Sequence, residues 1–129
     1  MRMTLAATGP VPAAEAWDRY ARPDRWPTWS PQLSRVEPAG AVLAAGLTGR
    51  VYAPLGISAG FTVTAVDAAA RTWRWEVRRG PLRLRLEHGV QPAGDGSLTW
   101  LVLWGPAPVL LGYAPLASYA LHRLVTLPR

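Results

Sequence analysis

Cysteine, lysine and asparagine are absent from this sequence of 129 residues, and isoleucine occurs once, at Ile57. Without cysteine the chain can form no disulfide, no thiolate metal site and no thiol nucleophile. All 14 basic residues are therefore arginine, and with 8 acidic residues they give a formal net charge of +6. We attribute the arginine bias to G/C-rich codons, since the codons of arginine, alanine, glycine and proline are G/C-rich and those of lysine, asparagine and isoleucine are not. Nucleic-acid surfaces usually cluster their cations, whereas these arginines are spread along the chain and interleaved with acidic residues. We expect no nucleic-acid partner.

Only one long stretch lacks charged residues, and it covers residues 98–121. Its length would suit a membrane span, but Pro106, Pro108 and Pro115 interrupt it and its first part has the pattern of a β-strand. We interpret it as a buried strand followed by a buried helix. The N-terminal residues contain no continuous apolar region of the kind found in secretory signals. The sequence therefore predicts a cytoplasmic protein without stable membrane insertion.

The composition is that of one globular domain spanning residues 1–129. Half of the residues are apolar and 17% are charged, so extensive disorder is not expected. A chain of this length can bury a core without a disulfide or a metal. No phosphate-binding loop, nucleophile elbow or zinc motif is present, and two histidines without cysteine make a poor metal site. We predict no cofactor and no metal.

The hydrophobic pattern predicts a strand, short helices, a series of strands and a long helix. The first helix runs from Pro12 towards Pro23, with an apolar stripe through Val11, Ala14, Trp17 and Tyr20–Ala21. The last helix is expected over residues 109–127, where Pro115 either begins its main part or kinks it. Strands that follow one another through short turns favour an antiparallel sheet. They are predicted at residues 3–7, 33–37, 49–53, 61–67, 72–79, 82–90 and 97–104.

Alternation of apolar and charged residues indicates a sheet with one dry face and one wet face. In residues 72–79, two tryptophans alternate with Arg74, Glu76 and Arg78, and residues 82–90 alternate leucine with arginine and glutamate. The strand at residues 97–104 differs because both of its faces are apolar. Another surface should therefore cover its outer side, and a homodimer contact through residues 100–104 is one candidate.

The order of these elements and several short motifs resemble one known superfamily. The motifs are "AEAWDRYARPDRWPTWSPQLSRVE", which contains W-x-x-W-x-P, then "GLTGRV", "FTVTAVDAAARTWRWEV" and "LRLEHGVQPAGDGSLTW". Together they resemble the polyketide cyclase/dehydrase branch of the START-like, or Bet v 1-like, superfamily. The resemblance implies an α+β helix-grip, in which a curved antiparallel sheet wraps around the C-terminal helix. It also implies an apolar cavity for a small hydrophobic molecule, and in some members cyclisation or dehydration of that molecule.

The resemblance assigns the cavity wall to apolar and aromatic residues of the sheet, the last helix and the W-x-x-W segment. The compact connections predict a small cavity, and simple core packing is the alternative role for each of these side chains. In a helix-grip the core and the cavity wall are the same surface, so the two roles overlap. The expected ligand-binding residues are Trp26, Trp29, Phe61, Trp73, Trp75, Leu84, Leu86, Tyr113 and Ala117.

Two residues are candidates for catalysis, His88 and Tyr52. By strand alternation His88 lies on the dry face, where a neutral imidazole could act as an acid/base or anchor a ligand. The alternative is a core histidine whose nitrogens are hydrogen-bonded by neighbouring groups. Tyr52 shares a face with Arg50, and an inward orientation would let the pair stabilise an enolate or bind a carbonyl. We favour an outward, solvated Arg50. The sequence thus predicts either a cofactor-independent cyclase/dehydratase or a non-catalytic carrier or sensor.

Overall fold

A computed structural model describes residues 1–128 and shows one curved antiparallel sheet of seven strands in the order β1-β7-β6-β5-β4-β3-β2. Short helices follow β1, and a long helix ends the described chain. The strands are β1 (Arg2–Gly9), β2 (Arg35–Glu37), β3 (Thr48–Tyr52), β4 (Ser58–Asp67), β5 (Thr72–Arg79), β6 (Leu82–Ala93) and β7 (Gly96–Trp104). The helices are α1 (Ala13–Ala21), α2 (Trp26–Trp29) and α3 (Ala107–Thr126), with single 3-10 turns at Pro23–Arg25 and Pro54–Gly56.

The predicted alternation of the two central strands is confirmed. Strands β5 and β6 pair so that Trp73 lies opposite His88 and Trp75 opposite Leu86, all four buried on the inner face. The charged residues between them face outward and pair across the strands, with Arg74 bound to Glu87 at 2.7 Å. Period-two alternation thus places the aromatic residues and the histidine together on the concave side of the sheet.

Helix α3 closes the concave side by packing against β1 and β7. It begins at Ala107, so Pro115 lies within the helix and does not begin it. Its buried stripe follows the predicted helical period and consists of Leu110, Ala117, Ala120, Leu121, Leu124 and Val125. Small alanines in the middle of this stripe let the helix approach the sheet closely.

No helix within residues 1–128 has both the length and the apolar character needed to span a membrane.

The predicted stripe on α1 is partly wrong. Ala13, Ala16 and Tyr20 are buried, whereas Ala14 is exposed and Trp17 only partly buried. The reason is a polar residue on the inner side, since the buried Arg19 donates from Nη1 to the carbonyl oxygen of Leu124 at 2.8 Å. Arg19 binds a carbonyl near the C-terminal end of α3, and this contact turns the buried face of α1 towards Arg19. Hydrophobic periodicity does not predict this rotation, because it treats arginine as an outward residue.

The outer face of β7 carries Trp100, Val102 and Trp104, all partly exposed. Trp100 lies directly over Gly89 of β6, where a Cβ atom would overlap its indole ring. The guanidinium of Arg85 lies 5.6 Å from the centre of the Trp104 ring. Trp100 thus packs on Gly89 and Trp104 against the Arg85 side chain, so the chain itself covers part of this apolar strand.

Candidate functional site

A cavity of about 30 Å³ lies between the inner face of the sheet, α2 and the middle of α3. It can hold roughly two water molecules, each of which needs about 10–15 Å³, and is far below the ~150 Å³ of an engineered cavity that binds benzene. The space is therefore smaller than a guest molecule requires. The lining residues are Trp26, Trp29, Ser30, Gln32, Leu33, Trp73, Trp75, Leu86, His88, Leu101, Tyr113, Ala117, Ala120 and Leu121.

Trp26 is the main reason that the cavity is small. Its side chain is 1% exposed and contacts the rings of Phe61, Trp73 and Trp75 at centroid distances of 5.7, 5.4 and 5.1 Å. Its indole Nε1–H donates to the carbonyl oxygen of Tyr20 at 2.9 Å. Proline at residues 23, 27 and 31 keeps α2 to four residues, so this segment turns a tryptophan into the concave side of the sheet instead of continuing as a helix.

Three partly exposed residues form the mouth of the cavity, namely Gln32, Leu33 and Tyr113. Gln32 lies in the loop after α2 and Tyr113 in the second turn of α3. The Gln32 amide nitrogen donates to the Tyr113 hydroxyl at 3.3 Å, which is long for a hydrogen bond. This contact joins the two sides of the mouth, and both of its residues are partly exposed.

His88 belongs to an ordered chain of hydrogen bonds. Because an indole N–H can only donate, Trp75 Nε1–H donates to His88 Nε2, at 3.1 Å. In the neutral ring the hydrogen must then lie on Nδ1, which donates to the Tyr20 hydroxyl at 3.2 Å. Tyr20 and Thr99 are 2.7 Å apart between oxygens, and Thr99 donates to the carbonyl of Gly89 at 2.9 Å. Tyr20 is therefore the donor to Thr99, and both imidazole nitrogens have partners.

Burial lowers the pKa of His88 from its usual 6.5 to about 3. A second proton would have to sit on Nε2, directly facing the indole N–H of Trp75, so the hydrogen-bond chain also opposes protonation. The imidazole further stacks on the Trp73 ring at 4.6 Å and 10°. His88 is thus a neutral, fixed part of the wall near pH 7, with the arrangement of a satisfied core histidine.

The cavity wall carries no formal charge near neutral pH. None of the described residues that line it is aspartate, glutamate or arginine. Burial raises the pKa of Tyr113, and that of Tyr20 behind His88, so both phenols keep their protons. A carboxylate or an ammonium group would therefore find no counter-ion here, and the wall favours an uncharged molecule.

Two polar atoms of the wall are buried without a hydrogen-bond partner in the part of the chain that the structure describes. They are Nε1 of Trp73 and Oε1 of Gln32. The other three indoles of the wall, those of Trp26, Trp29 and Trp75, all donate to protein acceptors. Trp73 is therefore distinct among four neighbouring tryptophans, because its donor has no acceptor among the described residues.

The structure corrects the expectation for Tyr52. Its hydroxyl donates to Glu37 at 3.1 Å, and the guanidinium of Arg35 lies 4.0 Å above its ring, so it belongs to the outer face of the sheet. Arg50 is exposed and binds Ser58, as favoured from the sequence. Val51, between them, takes the buried position. Tyr52 is not brought to His88 because strand parity gives it the orientation of Arg50.

Seven of the nine expected ligand-binding residues line the cavity, together with His88. The other two are buried elsewhere in the core: Phe61 lies behind Trp26 and Trp75, and Leu84 lies near Gly105. Sequence reasoning did not select the loop residues Ser30 and Gln32, nor Tyr20 and Thr99, which continue the hydrogen-bond chain of His88. Thr99 carries no signal of its own, because a buried threonine in an apolar strand has the same pattern as an exposed one.

The fold and the site define a class of protein. A curved antiparallel sheet around a C-terminal helix, with an apolar inner face, is the helix-grip of the START-like, or Bet v 1-like, superfamily. Residues 1–126 match the family described as "Polyketide cyclase / dehydrase and lipid transport". The chain belongs to this family, as the motifs predicted. Membership supports the binding of a hydrophobic ligand.

Solved structures agree on the fold. The crystal structure of Ara h 8.0201 is 15% identical, with a TM-score of 0.76 over 96% of this chain and 94% of that chain. A protein of Bacillus thuringiensis is 12% identical, with a TM-score of 0.75 over 95% and 96% of the two chains. A protein of Nitrosospira multiformis is 11% identical, with a TM-score of 0.76 over 97% and 94%. None of the curated proteins compared with the chain matches it.

Proposed function

We propose that the protein binds a small, uncharged, hydrophobic molecule between the sheet and α3, and that it does so from an opened form of the cavity. The observation that carries the proposal is the wall itself, which is aromatic, free of formal charge and continuous with a partly exposed mouth. Flat aromatic walls suit a planar ligand, because ring contacts add about 0.5–1.5 kcal/mol each beyond the burial of area. Family membership supports the same class of ligand.

The ligand requires the mouth to open, because about 30 Å³ does not admit an organic molecule. The contact between Gln32 and Tyr113 is the place for this change, since it is long and both residues are partly exposed. Trp26 is better fixed, by its hydrogen bond and three ring contacts. We therefore propose that the loop after α2 moves away from α3 while Trp26 remains as the floor of the enlarged cavity.

Ala117 provides the test of this location. It is 2% exposed, lies on α3 and lines the cavity, so Ala117→Leu places a larger side chain in the space that the ligand needs. The probe is N-phenyl-1-naphthylamine, a neutral dye whose fluorescence rises in apolar surroundings. We expect the wild type to bind the dye and Ala117→Leu to bind it about tenfold or more weakly, which corresponds to ~1.4 kcal/mol.

Ser118→Leu is the matched control, because it adds the same side chain one residue further along α3, at an exposed position. It should leave the dye affinity within about twofold of the wild type. Equal affinities for all three proteins would place the dye outside the cavity, and no dye binding by the wild type would contradict the proposed function. Native mass spectrometry of freshly purified protein would add the mass of any molecule that co-purifies.

Catalysis of a cyclisation or dehydration is the second candidate. One observation favours it: His88 lines the cavity and is connected through Tyr20 to Thr99, an arrangement that could move a proton along hydroxyl groups. The substrate would have to displace Trp75 or Tyr20 from the imidazole to reach either nitrogen. If His88 is the acid/base, His88→Gln abolishes turnover while the affinity for the dye changes by less than about tenfold. A ligand that is recovered chemically unaltered from the wild type would instead support a carrier or sensor.

A homodimer through the outer face of β7 is a separate proposal. It draws support from the three partly exposed apolar residues Trp100, Val102 and Trp104. Light scattering of the wild type and of Trp100→Arg tests it: a dimer that dissociates in the variant supports this contact, and a monomeric wild type at high concentration refutes it.

A further inference from the structure

Trp73 lines the cavity, and its indole N–H is a buried hydrogen-bond donor without an acceptor among the described residues. Trp73 is 2% exposed, and its Nε1 has no partner within residues 1–128. An indole can donate but not accept, so no rearrangement of its own hydrogens can satisfy it. Buried donors in folded proteins are nearly always paired, which makes an unpaired one a place where a partner from outside the chain is expected.

The Trp73 ring cannot turn away from this position. One face stacks on the His88 imidazole at 4.6 Å, and Trp26 lies against the ring at 5.4 Å with 26° between the planes. Tyr20 contacts its edge at 5.7 Å. His88 is itself fixed by hydrogen bonds to Trp75 and Tyr20. The donor is thus oriented before any ligand arrives, which lowers the entropic cost of using it.

The acceptor that fits this donor is uncharged. The described residues that line the cavity include no aspartate, glutamate or arginine, and His88 is neutral near pH 7. A carboxylate oxygen would receive the hydrogen bond from Trp73 but would leave its charge without a counter-ion in an apolar space. A carbonyl oxygen accepts the same bond without that cost. A water molecule, for which the cavity has room, would occupy the position until a ligand oxygen replaces it.

We infer that the ligand carries a carbonyl oxygen on a planar apolar skeleton, and that this oxygen accepts a hydrogen bond from Nε1 of Trp73. The inference rests on the proposed function and adds the chemical class of the ligand. Trp73 then determines specificity: it discriminates a ketone from the hydrocarbon of the same shape, because only the ketone satisfies the donor.

The test compares 1-indanone with indane, two molecules of nearly the same size that differ by one carbonyl group. Their dissociation constants are measured for the wild type, Trp73→Phe and Trp29→Phe. Both substitutions keep an aromatic ring and remove an indole N–H. Trp29 is the matched control, because it lines the same cavity but its indole already donates to the carbonyl oxygen of Arg19 and does not hold His88.

We expect the preference for indanone over indane to fall about tenfold in Trp73→Phe relative to the wild type, the size expected for one buried hydrogen bond. In Trp29→Phe the preference should stay within about twofold, even if both affinities change. A preference that is the same in the wild type and in Trp73→Phe would overturn the inference while leaving the proposed function intact. Failure of the wild type to bind either molecule or the neutral dye would overturn both.

A measurement on the wild type protects the test against a variant that does not fold. In ¹⁵N–¹H spectra the Trp73 indole resonance should move downfield when indanone is added and not when indane is added. An equal response to the two molecules would contradict the hydrogen bond. If the resonance shows that water keeps the position in the presence of bound indanone, the inference is also wrong.

Discussion

The pKa of His88 leads to a prediction about stability against pH, in which His88→Gln is compared with the wild type. In the folded chain burial lowers the pKa of His88 to about 3, whereas in the unfolded chain it titrates near 6.5. Between these two pH values the unfolded state binds one proton more than the folded state. The free energy of unfolding of the wild type therefore rises with pH in this window. The contribution of the neutral His88 to stability is lost as the pH falls through the same window.

The magnitude follows from the proton difference. One proton gives a slope of about 1.4 kcal/mol per pH unit, so the contribution of His88 falls by about 3 kcal/mol between about pH 7.5 and about pH 4.5. Glutamine at position 88 does not titrate and removes this contribution. The difference in unfolding free energy between the wild type and His88→Gln should therefore shrink by about 3 kcal/mol over the same interval, whatever its value at pH 7.5.

Urea unfolding at several pH values measures both proteins, and the carboxyl groups cancel because the two chains share them. His122→Gln is measured alongside as the variant that replaces the other histidine, at an exposed position on α3. A constant difference between the wild type and His88→Gln across this interval would mean that His88 titrates normally in the folded protein, and the reasoning about its burial and tautomer would be refuted.

Two further predictions concern residues away from the cavity. Gly89→Ala should lower the free energy of unfolding by about 1–3 kcal/mol, because the new Cβ would overlap the Trp100 indole. Gly60→Ala is the control and should cost less than ~1 kcal/mol, because its Cβ would meet only the Gly49 carbonyl oxygen, at 3.9 Å. Urea unfolding compares the two variants, and equal losses would contradict the role of the Trp100 contact. Tyr52→Phe should change dye affinity by less than about twofold, and a larger loss by fluorescence titration would return Tyr52 to the binding site.

Much of the fold was predictable because its signals are local. Alternation along β5 and β6 placed Trp73, Trp75 and His88 on one face, and the pairing of the strands confirms this. The stripe of α3 was equally clear, since alanine and leucine recur at the helical period. Helix α1 was less well predicted, because Arg19 occupies an inward position and periodicity analysis counts arginine as outward.

The state of His88 depends on partners that are distant in the chain. Its two nitrogens bind Trp75 and Tyr20, which are 13 and 68 residues away in sequence. Nothing in the local pattern around residue 88 reveals that both partners are present. A histidine with a nitrogen free to act as a base and a histidine with both nitrogens hydrogen-bonded can have the same neighbouring residues in sequence. Only the folded core distinguishes the two cases.

The amino-acid sequence by itself determined the order of the strands along the chain, the antiparallel pairing of consecutive strands, the inward parity of the aromatic residues and the absence of thiol chemistry. These follow from local periodicity, turn residues and composition, which act over a few residues at a time. Only the tertiary structure decided that Trp26 fills the concave side, that the remaining space is about 30 Å³, and that one of the four cavity indoles finds no acceptor within residues 1–128. The volume of a cavity and the pairing of its hydrogen-bond donors depend on side chains from distant segments of the chain. Both are therefore determined only when the core is packed.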